Sequence, residues 1–319
     1  MSFEGPLFIL GSPRSGTKLV RDTLNQSVEV SIPIHETKFI PKILEICCSK
    51  KSDPTSLAEI IKNSEFYEAH LKEGCDYKLD NLILDSSDPG DILKSIAKES
   101  DRSRGIEDRR IWGDKSPFME LKLEILARSF PSAKYIFVIR DPRDVYSSLK
   151  KMYPWRSVTR FSFLWEKSSK NALGGKIIEK ERVLVVRYED FIMNTIESMN
   201  EICDFLNIQM TEKMSAPNRI TEYSGDAKGR DTVMRHNSGK FKSKLSNKEI
   251  KIIESICSEA MLMHGYENIH THLTIFKPSK SRIKFLQLRD YVLELPSLIA
   301  KYGIVSGAAR IINKLRLRY

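Results

Sequence analysis

Cysteine is scarce and unpatterned. Cys47, Cys48, Cys75, Cys203 and Cys257 are an odd set with none of the paired spacing of a metal knuckle or a disulfide framework. Reduced, mostly buried thiols in a cytoplasmic setting are the expectation. Long apolar runs are missing too: no stretch approaches the roughly 20 residues that cross a bilayer. Met1 is followed by polar Ser2 and acidic Glu4, so no signal peptide is expected either. Acidic residues nearly vanish at the C-terminal end. Residues 277–319 hold ten basic side chains against only Asp290 and Glu294, so most of the net charge of +10 resides there. No nucleic-acid module accompanies that charge, and nucleic acid is not the expected partner. Apolar residues from Ile283 to Val292 and from Leu298 to Leu315 interleave with the basic ones as two amphipathic helices. This pattern suits a segment lying on an anionic membrane surface, and equally a pair of helices packed on the body with a solvated basic face.

An apolar fraction of 41% supplies a core, and 319 residues leave room for one large α/β domain or two domains. Strand-length apolar runs alternate with segments of helical period, which predicts a mostly parallel sheet covered on both faces. Strands are expected at residues 7–10, 28–32, 110–112, 134–139 and 182–186. Helices are expected from Thr17, from Thr37, from Ser116-Pro117, and over 144–151, 158–180 and 191–206. A last body helix is expected from Ser246, where Glu249 completes a capping box. Residues 50–109 read as short helices joined by polar turns, without a repeat, and 223–244 as a polar segment too hydrophilic for core.

The chain is organised around PLFILGSPRSGTKLVRDTL, residues 6–24. A buried strand runs into a turn of small residues from Gly11 to Gly16 and then into a helix. That geometry aims backbone N–H groups and the positive end of a helix dipole at an anion. In the loop of nucleoside-triphosphate enzymes, G-x-x-x-x-G-K-[ST], a lysine directly follows the second glycine and a hydroxyl for magnesium comes next. Gly11 and Gly16 have that separation, but Thr17 and Lys18 stand in the reverse order. A lysine moved by one place points about 100° away. With Arg14 inside the loop, the sequence fits a phosphate held by backbone amides, a guanidinium and hydroxyls, with no obligatory metal.

Pro13-Arg14-Ser15-Gly16-Thr17 after a strand resembles the 5′-phosphosulfate loop of sulfotransferases that use 3′-phosphoadenosine 5′-phosphosulfate (PAPS). The resemblance continues in order through HETKFIPKIL (His35–Leu44), GDKSPF (Gly113–Phe118) and KYIFVIRDPRDVYSSL (Lys134–Leu149), and covers roughly residues 5–268. Its layout is nearest the tyrosylprotein sulfotransferase branch and its bacterial relatives. It implies an α/β, three-layer, P-loop-like fold with a mostly parallel central sheet flanked by helices. The sulfotransferase domain would occupy residues 1–270, with a basic amphipathic helical extension over 271–319. The implied reaction moves a sulfuryl group from PAPS to a hydroxyl on a carbohydrate, glycolipid, peptide tyrosine or small molecule. Adenosine 3′,5′-bisphosphate is the implied product, and no metal is required.

In-line sulfuryl transfer needs a base for the acceptor proton, a cation at the bridging oxygen and donors on the equatorial oxygens. By the resemblance, Glu36 is the base, Lys115 the cation, and Arg14 the holder of the 5′-phosphate and sulfuryl oxygens. Pro13, Ser15, Gly16, Thr17 and Lys18 complete that loop, with Lys18 standing where the family commonly has threonine or serine. Arg140 and Ser148, on one helix face by 3.6-residue spacing, match the pair that holds the 3′-phosphate. Tyr188, Arg235 and Lys240 match later cofactor contacts. Plainer readings stand beside these. Glu36 also suits a helix dipole, Lys115 a solvated surface, and residues 140–143 a salt-bridged turn. His35, whose unperturbed pKa near 6.5 suits a base, reads as a pocket residue. Two other functions compete: a P-loop small-molecule kinase, which needs ATP, magnesium and the lysine order this loop lacks, and a non-catalytic nucleotide-binding protein of the same fold. The expected setting is cytoplasmic, or peripheral at a membrane surface.

Overall fold

The computed structural model describes residues 3–48, 54–72, 88–107, 109–173, 177–217 and 229–316. In chain order the elements are β1 (Leu7–Leu10), α1 (Thr17–Leu24), β2 (Val30–Ser31), α2 (Ile40–Cys48), α3 (Pro54–Lys62), α4 (Glu65–Lys72), α5 (Pro89–Arg102) and β3 (Ile111–Asp114). Next come α6 (Leu123–Ser129), β4 (Lys134–Ile139), α7 (Pro142–Met152), α8 (Val158–Ala172), β5 (Val183–Arg187), α9 (Tyr188–Met193) and α10 (Thr195–Leu206). The last are α11 (Phe241–Lys244), α12 (Asn247–Met263), α13 (Lys280–Tyr302) and α14 (Ile304–Arg316). The chain divides into two units. One comprises the residues up to Gly11, Ser15–Ile139 and Asn171–Asn237; the other comprises Ser12–Arg14, Arg140–Lys170 and the residues from Ser238 onward.

The first unit holds a five-stranded sheet in the order β2-β3-β1-β4-β5, with every pairing parallel. β1 is central: Leu7 is in register with Gly113 on one side and Lys134 on the other. Strands buried on both faces need no polar alternation, and LFIL and KYIFVI show none. On one face Leu7, Ile9, Ile136 and Val138 join a core with Leu19, Val20 and Leu24 of α1 and with Met199, Ile202 and Leu206 of α10. On the other, the Phe8 ring lies 5.3 Å from Phe130 and 5.7 Å from Tyr135. Gly113 permits the close β1–β3 approach, since a Cβ there would sit 2.1 Å from the Leu7 carbonyl oxygen. The chain leaves β1 for the β2 edge, returns through β3, and crosses to β4. Open α/β sheets place their sites where connections diverge in this way, at the carboxyl ends of the strands.

In the second unit, α7 opens with Pro142 at its first position and Asp141 as its cap, accepting from the Arg143 N–H at 2.8 Å. The Arg143 guanidinium bridges Asp141 and Glu254, both at 2.7 Å, and so ties α7 to α12. α12 starts with the expected capping box of Ser246 and Glu249. Cys203 of the first unit and Cys257 of the second are buried free thiols, while Cys75 lies outside the described residues.

Several boundaries differ from expectation, each for a local reason. α2 begins at Ile40 rather than Thr37, because the Thr37 hydroxyl is committed to Asp114 and Ser116 instead of a helix N–H. Pro117 lies in a turn, Phe118 takes φ 65°, and a 3₁₀ turn over Met119–Lys122 precedes α6. β2 shrinks to two residues, with Val28 exposed. The helix expected over 158–180 ends at Ala172, and a 3₁₀ turn over Lys180–Arg182 leads into β5. The segment 191–206 is split, because Asn194 at φ −128° separates α9 from α10. Residues 218–228 of the polar segment lie outside the described residues.

Candidate active site

In the first unit the loop after β1 is shaped by its two glycines. Gly11 has φ 147°, and a Cβ there would lie 2.5 Å from the Val138 carbonyl oxygen. Gly16 has φ 99°, and its Cβ would meet Tyr188 Cδ2 at 2.3 Å. Only glycine satisfies both constraints. Gly16 caps α1 without any side-chain hydrogen bond to the helix. Beside it the Ser15 hydroxyl is buried, with no hydrogen-bond partner among the described residues. An uncapped helix start next to an unsatisfied buried hydroxyl fits an anion such as the phosphosulfate end of PAPS.

The segment carrying Glu36 is pinned by side chains of α1 and β3. The Asn25 amide brackets the Ile32 backbone at 2.7 and 3.0 Å. Buried Arg21 donates to the Ile34 carbonyl at 2.5 Å, and Thr37 donates to Asp114. Glu36 therefore stands ahead of α2, facing the residue directly after β3: Lys115 Nζ donates to Glu36 Oε1 at 2.6 Å. Lys38 adds a longer ion pair to Oε2 at 3.4 Å. Burial would raise the Glu36 carboxyl, but Lys115, Lys38 and Lys18 outweigh it and hold it at about 2. For Lys115 burial is the larger influence. It pushes the ammonium down to about 8 against the pull of Glu36, and Arg21 and Lys18 add to the fall. Depth explains the asymmetry, since the Lys115 side chain is 2% exposed and that of Glu36 24%. Behind the pair, burial raises Asp114 to about 6 in spite of hydrogen bonds from Thr37 and Ser116 and the charge of Lys115.

The first unit also holds Thr17, Lys18, Tyr188, His35 and Arg235. Thr17 is buried and Lys18 half-buried at the start of α1. Tyr188 is buried directly after β5, at the first position of α9, its hydroxyl accepting from Asn237 Nδ2 at 2.7 Å. The His35 ring meets His70 edge-on at 4.8 Å. Arg235 is exposed.

The second unit brings Arg14, Arg140 and Ser148 together. Arg14 takes a left-handed φ of 73°. Its Nε donates to Ser148 Oγ at 3.1 Å, and Arg140 Nη1 donates to the Arg14 carbonyl oxygen at 3.1 Å. Trp165 Nε1 donates in turn to the Arg140 carbonyl at 3.1 Å. Pro13, like Arg14, is half-buried. Lys240, also half-buried, is held by its neighbours. The two Asp144 carboxylate oxygens accept from the Gly239 N–H at 2.6 Å and the Phe241 N–H at 2.9 Å. Sequence reasoning missed Arg21, Asn25, Asp114, Asp144 and Asn237. Asp114, Asp144 and Asn237 act through partners 49 to 97 positions away, Arg21 and Asn25 through backbone 13 and 7 positions on, and only the Asp-Lys pair within GDKSPF gave any local signal. Among the described residues no three His, Cys, Asp or Glu side chains form a metal-binding group, and no helix is long and apolar enough to cross a membrane.

Comparison with known proteins adds an independent line. A profile described as "Sulfotransferase family" matches residues 6–212. Protein-tyrosine sulfotransferase 2 of Gallus gallus is 29% identical over 223 residues, spanning 66% of this chain and 53% of the relative. Protein-tyrosine sulfotransferase 1 of Danio rerio is 26% identical over 208 residues, spanning 63% and 53%. The chain thus spans about half the length of the curated relatives it matches. Among solved structures, the sulfotransferase domain of the Synechococcus PCC 7002 olefin synthase superposes with a TM-score of 0.55 at 22% identity, covering 80% of this chain and 95% of that one. The sulfotransferase domain from the curacin biosynthetic pathway gives 0.51 at 20% identity, covering 84% and 99%. These two likenesses show the α/β fold expected from the sequence.

Proposed function

The chain belongs to the sulfotransferase family, and on that premise we propose that it transfers a sulfuryl group from PAPS to a hydroxyl acceptor. The observation that carries this reading is the Lys115–Glu36 ion pair at 2.6 Å, placed at the carboxyl end of β3. PAPS supplies a sulfuryl group already attached to a phosphate leaving group. Backbone amides at the start of α1, the Ser15 hydroxyl, Thr17 and Arg14 hold its phosphosulfate end, with Pro13, Gly16 and Lys18 completing the loop. Arg140 and Ser148 hold the 3′-phosphate, and Tyr188, Arg235 and Lys240 contact the remainder of the nucleotide. Glu36 takes the acceptor proton as the acceptor oxygen bonds to sulfur. Lys115 offsets the charge left on the oxygen whose bond to sulfur breaks.

A carboxylate held at about 2 is a weak base. While it remains paired with Glu36, the Lys115 ammonium has its charge largely offset before it can act on the leaving oxygen. Moving the ammonium from the carboxylate to the bridging oxygen therefore does two things at once. It places the cation where charge develops, and it lets the Glu36 pKa rise toward the usual carboxylate range. The hydroxyl of a protein tyrosine is the acceptor class that the relatives' names point to; carbohydrate, glycolipid and small-molecule hydroxyls form the comparison set. Incubation with PAPS labelled in its sulfuryl group, in the presence of EDTA, tests the reading. Label should pass to one of these acceptors, and to none with Glu36→Gln. Transfer by that variant at the wild-type rate, or by no protein on any acceptor, would overturn it.

A further inference from the structure

Both acidic residues of the basic tail are turned inward. The buried residues of α13 are Ile283, Asp290, Tyr291 and Glu294, which share one helix face by 3.6-residue spacing. Asp290 is 3% exposed and Glu294 6%. Asp290 accepts from the Ser157 N–H at 3.1 Å, and Arg160 lies 3.7 Å from it, so this face is anchored within the second unit. The opposite face carries Phe285, Leu288 and Val292, which are 66%, 53% and 61% exposed. Arg282, Lys284 and Arg289 beside them are all exposed, as is Lys280 at the start of the helix. With Asp290 and Glu294 turned inward, residues 277–319 offer no other acidic side chain to that surface. Gly307 brings α14 against the end of α13, where a Cβ would lie 3.0 Å from Ile299 N. Ile304 and Val305, at the start of α14, are exposed as well.

We propose that the outward face of α13 is a docking surface for an anionic phospholipid membrane. A stripe of large apolar side chains opposite an anchored face, its outward charges on the same helix all basic, is the arrangement of a helix that lies in a membrane interface. The basic flanks draw it to anionic headgroups. A second copy of this chain would bring two positively charged surfaces together, and a nucleic acid would leave Phe285, Leu288 and Val292 without an apolar partner. The sequence left membrane docking and packing on the body as alternatives; α13 packs with one face and presents an apolar face on the other.

Flotation of the full chain with phosphatidylcholine vesicles, with and without about 30% phosphatidylserine, tests this. Binding to the anionic vesicles should be at least about tenfold stronger than to the neutral ones, and should weaken as salt is raised. The exposed triple variant F285S/L288S/V292S should lose about tenfold of that binding while its thermal midpoint by circular dichroism stays at the wild-type value. Three results would overturn the proposal. They are equal binding by variant and wild type, no preference for the anionic vesicles, and light scattering that shows the wild type as a dimer and the variant as a monomer.

Discussion

Lys115 and Glu36 both lie below their ordinary pKa values, and for opposite reasons. Burial dominates at the lysine, lowering it to about 8, whereas the surrounding cations dominate at the carboxylate. The free enzyme should therefore lose kcat/KM as pH rises through about 8, because Lys115 sheds the proton that makes it a cation. Lys115→Arg stays charged throughout this range and should abolish that alkaline limb at a reduced maximal rate; a limb unchanged in the variant would assign it to another group. Glu36→Gln keeps an oxygen for Lys115 to donate to but no basic carboxylate. Its kcat should fall by about 10²–10⁴ with an unaltered circular dichroism spectrum. Glu36 also links pH to stability. Its folded pKa lies below the unfolded value, so its contribution is complete above about 4.5 and is lost as pH falls toward about 2.

At the level of elements, two loops position the charged groups through constraints on backbone rather than on side-chain charge. Gly16→Ala would require φ 99° of an alanine and place its Cβ 2.3 Å from the Tyr188 ring. A loss of about 1–3 kcal/mol in urea denaturation is expected, together with weaker nucleotide binding. Asp144→Ala would leave the Gly239 and Phe241 N–H groups without their acceptor, at a cost of about 1–3 kcal/mol and with a raised KM for PAPS; an unchanged urea midpoint would show that the segment holds itself. The strands were legible in the sequence because burial on both faces writes an uninterrupted apolar run, as in KYIFVI. The capping box of α12 was legible because Ser246 and Glu249 are both donor and acceptor within three residues. Helix starts were misread where the capping residue had a distant partner. Thr37 bonds Asp114, 77 positions away, and no local pattern announces that. The split at Asn194 was hidden for a related reason, since Phe191 and Met199 both belong to the core and keep the apolar period across the break.

For the whole molecule, the sequence conveyed the order of the blocks, and the fold places two of them, carrying Glu36 and Lys115, against each other within one unit. It could not convey how the tail divides its two faces, because Asp290 and Glu294 are ordinary helix acids until their burial is known. The reversed Thr17-Lys18 order and Arg14 set this chain apart from magnesium-dependent P-loop enzymes. The proposed function requires the protein to grip a nucleotide by an anionic group at each end, without a divalent ion. Calorimetry in EDTA measures this directly. Adenosine 3′,5′-bisphosphate should bind with a Kd in the micromolar range or tighter, of the order of −8 kcal/mol, and Arg140→Ala should weaken it at least about tenfold. Uptake of ATP with magnesium, and no heat from adenosine 3′,5′-bisphosphate, would contradict the assignment.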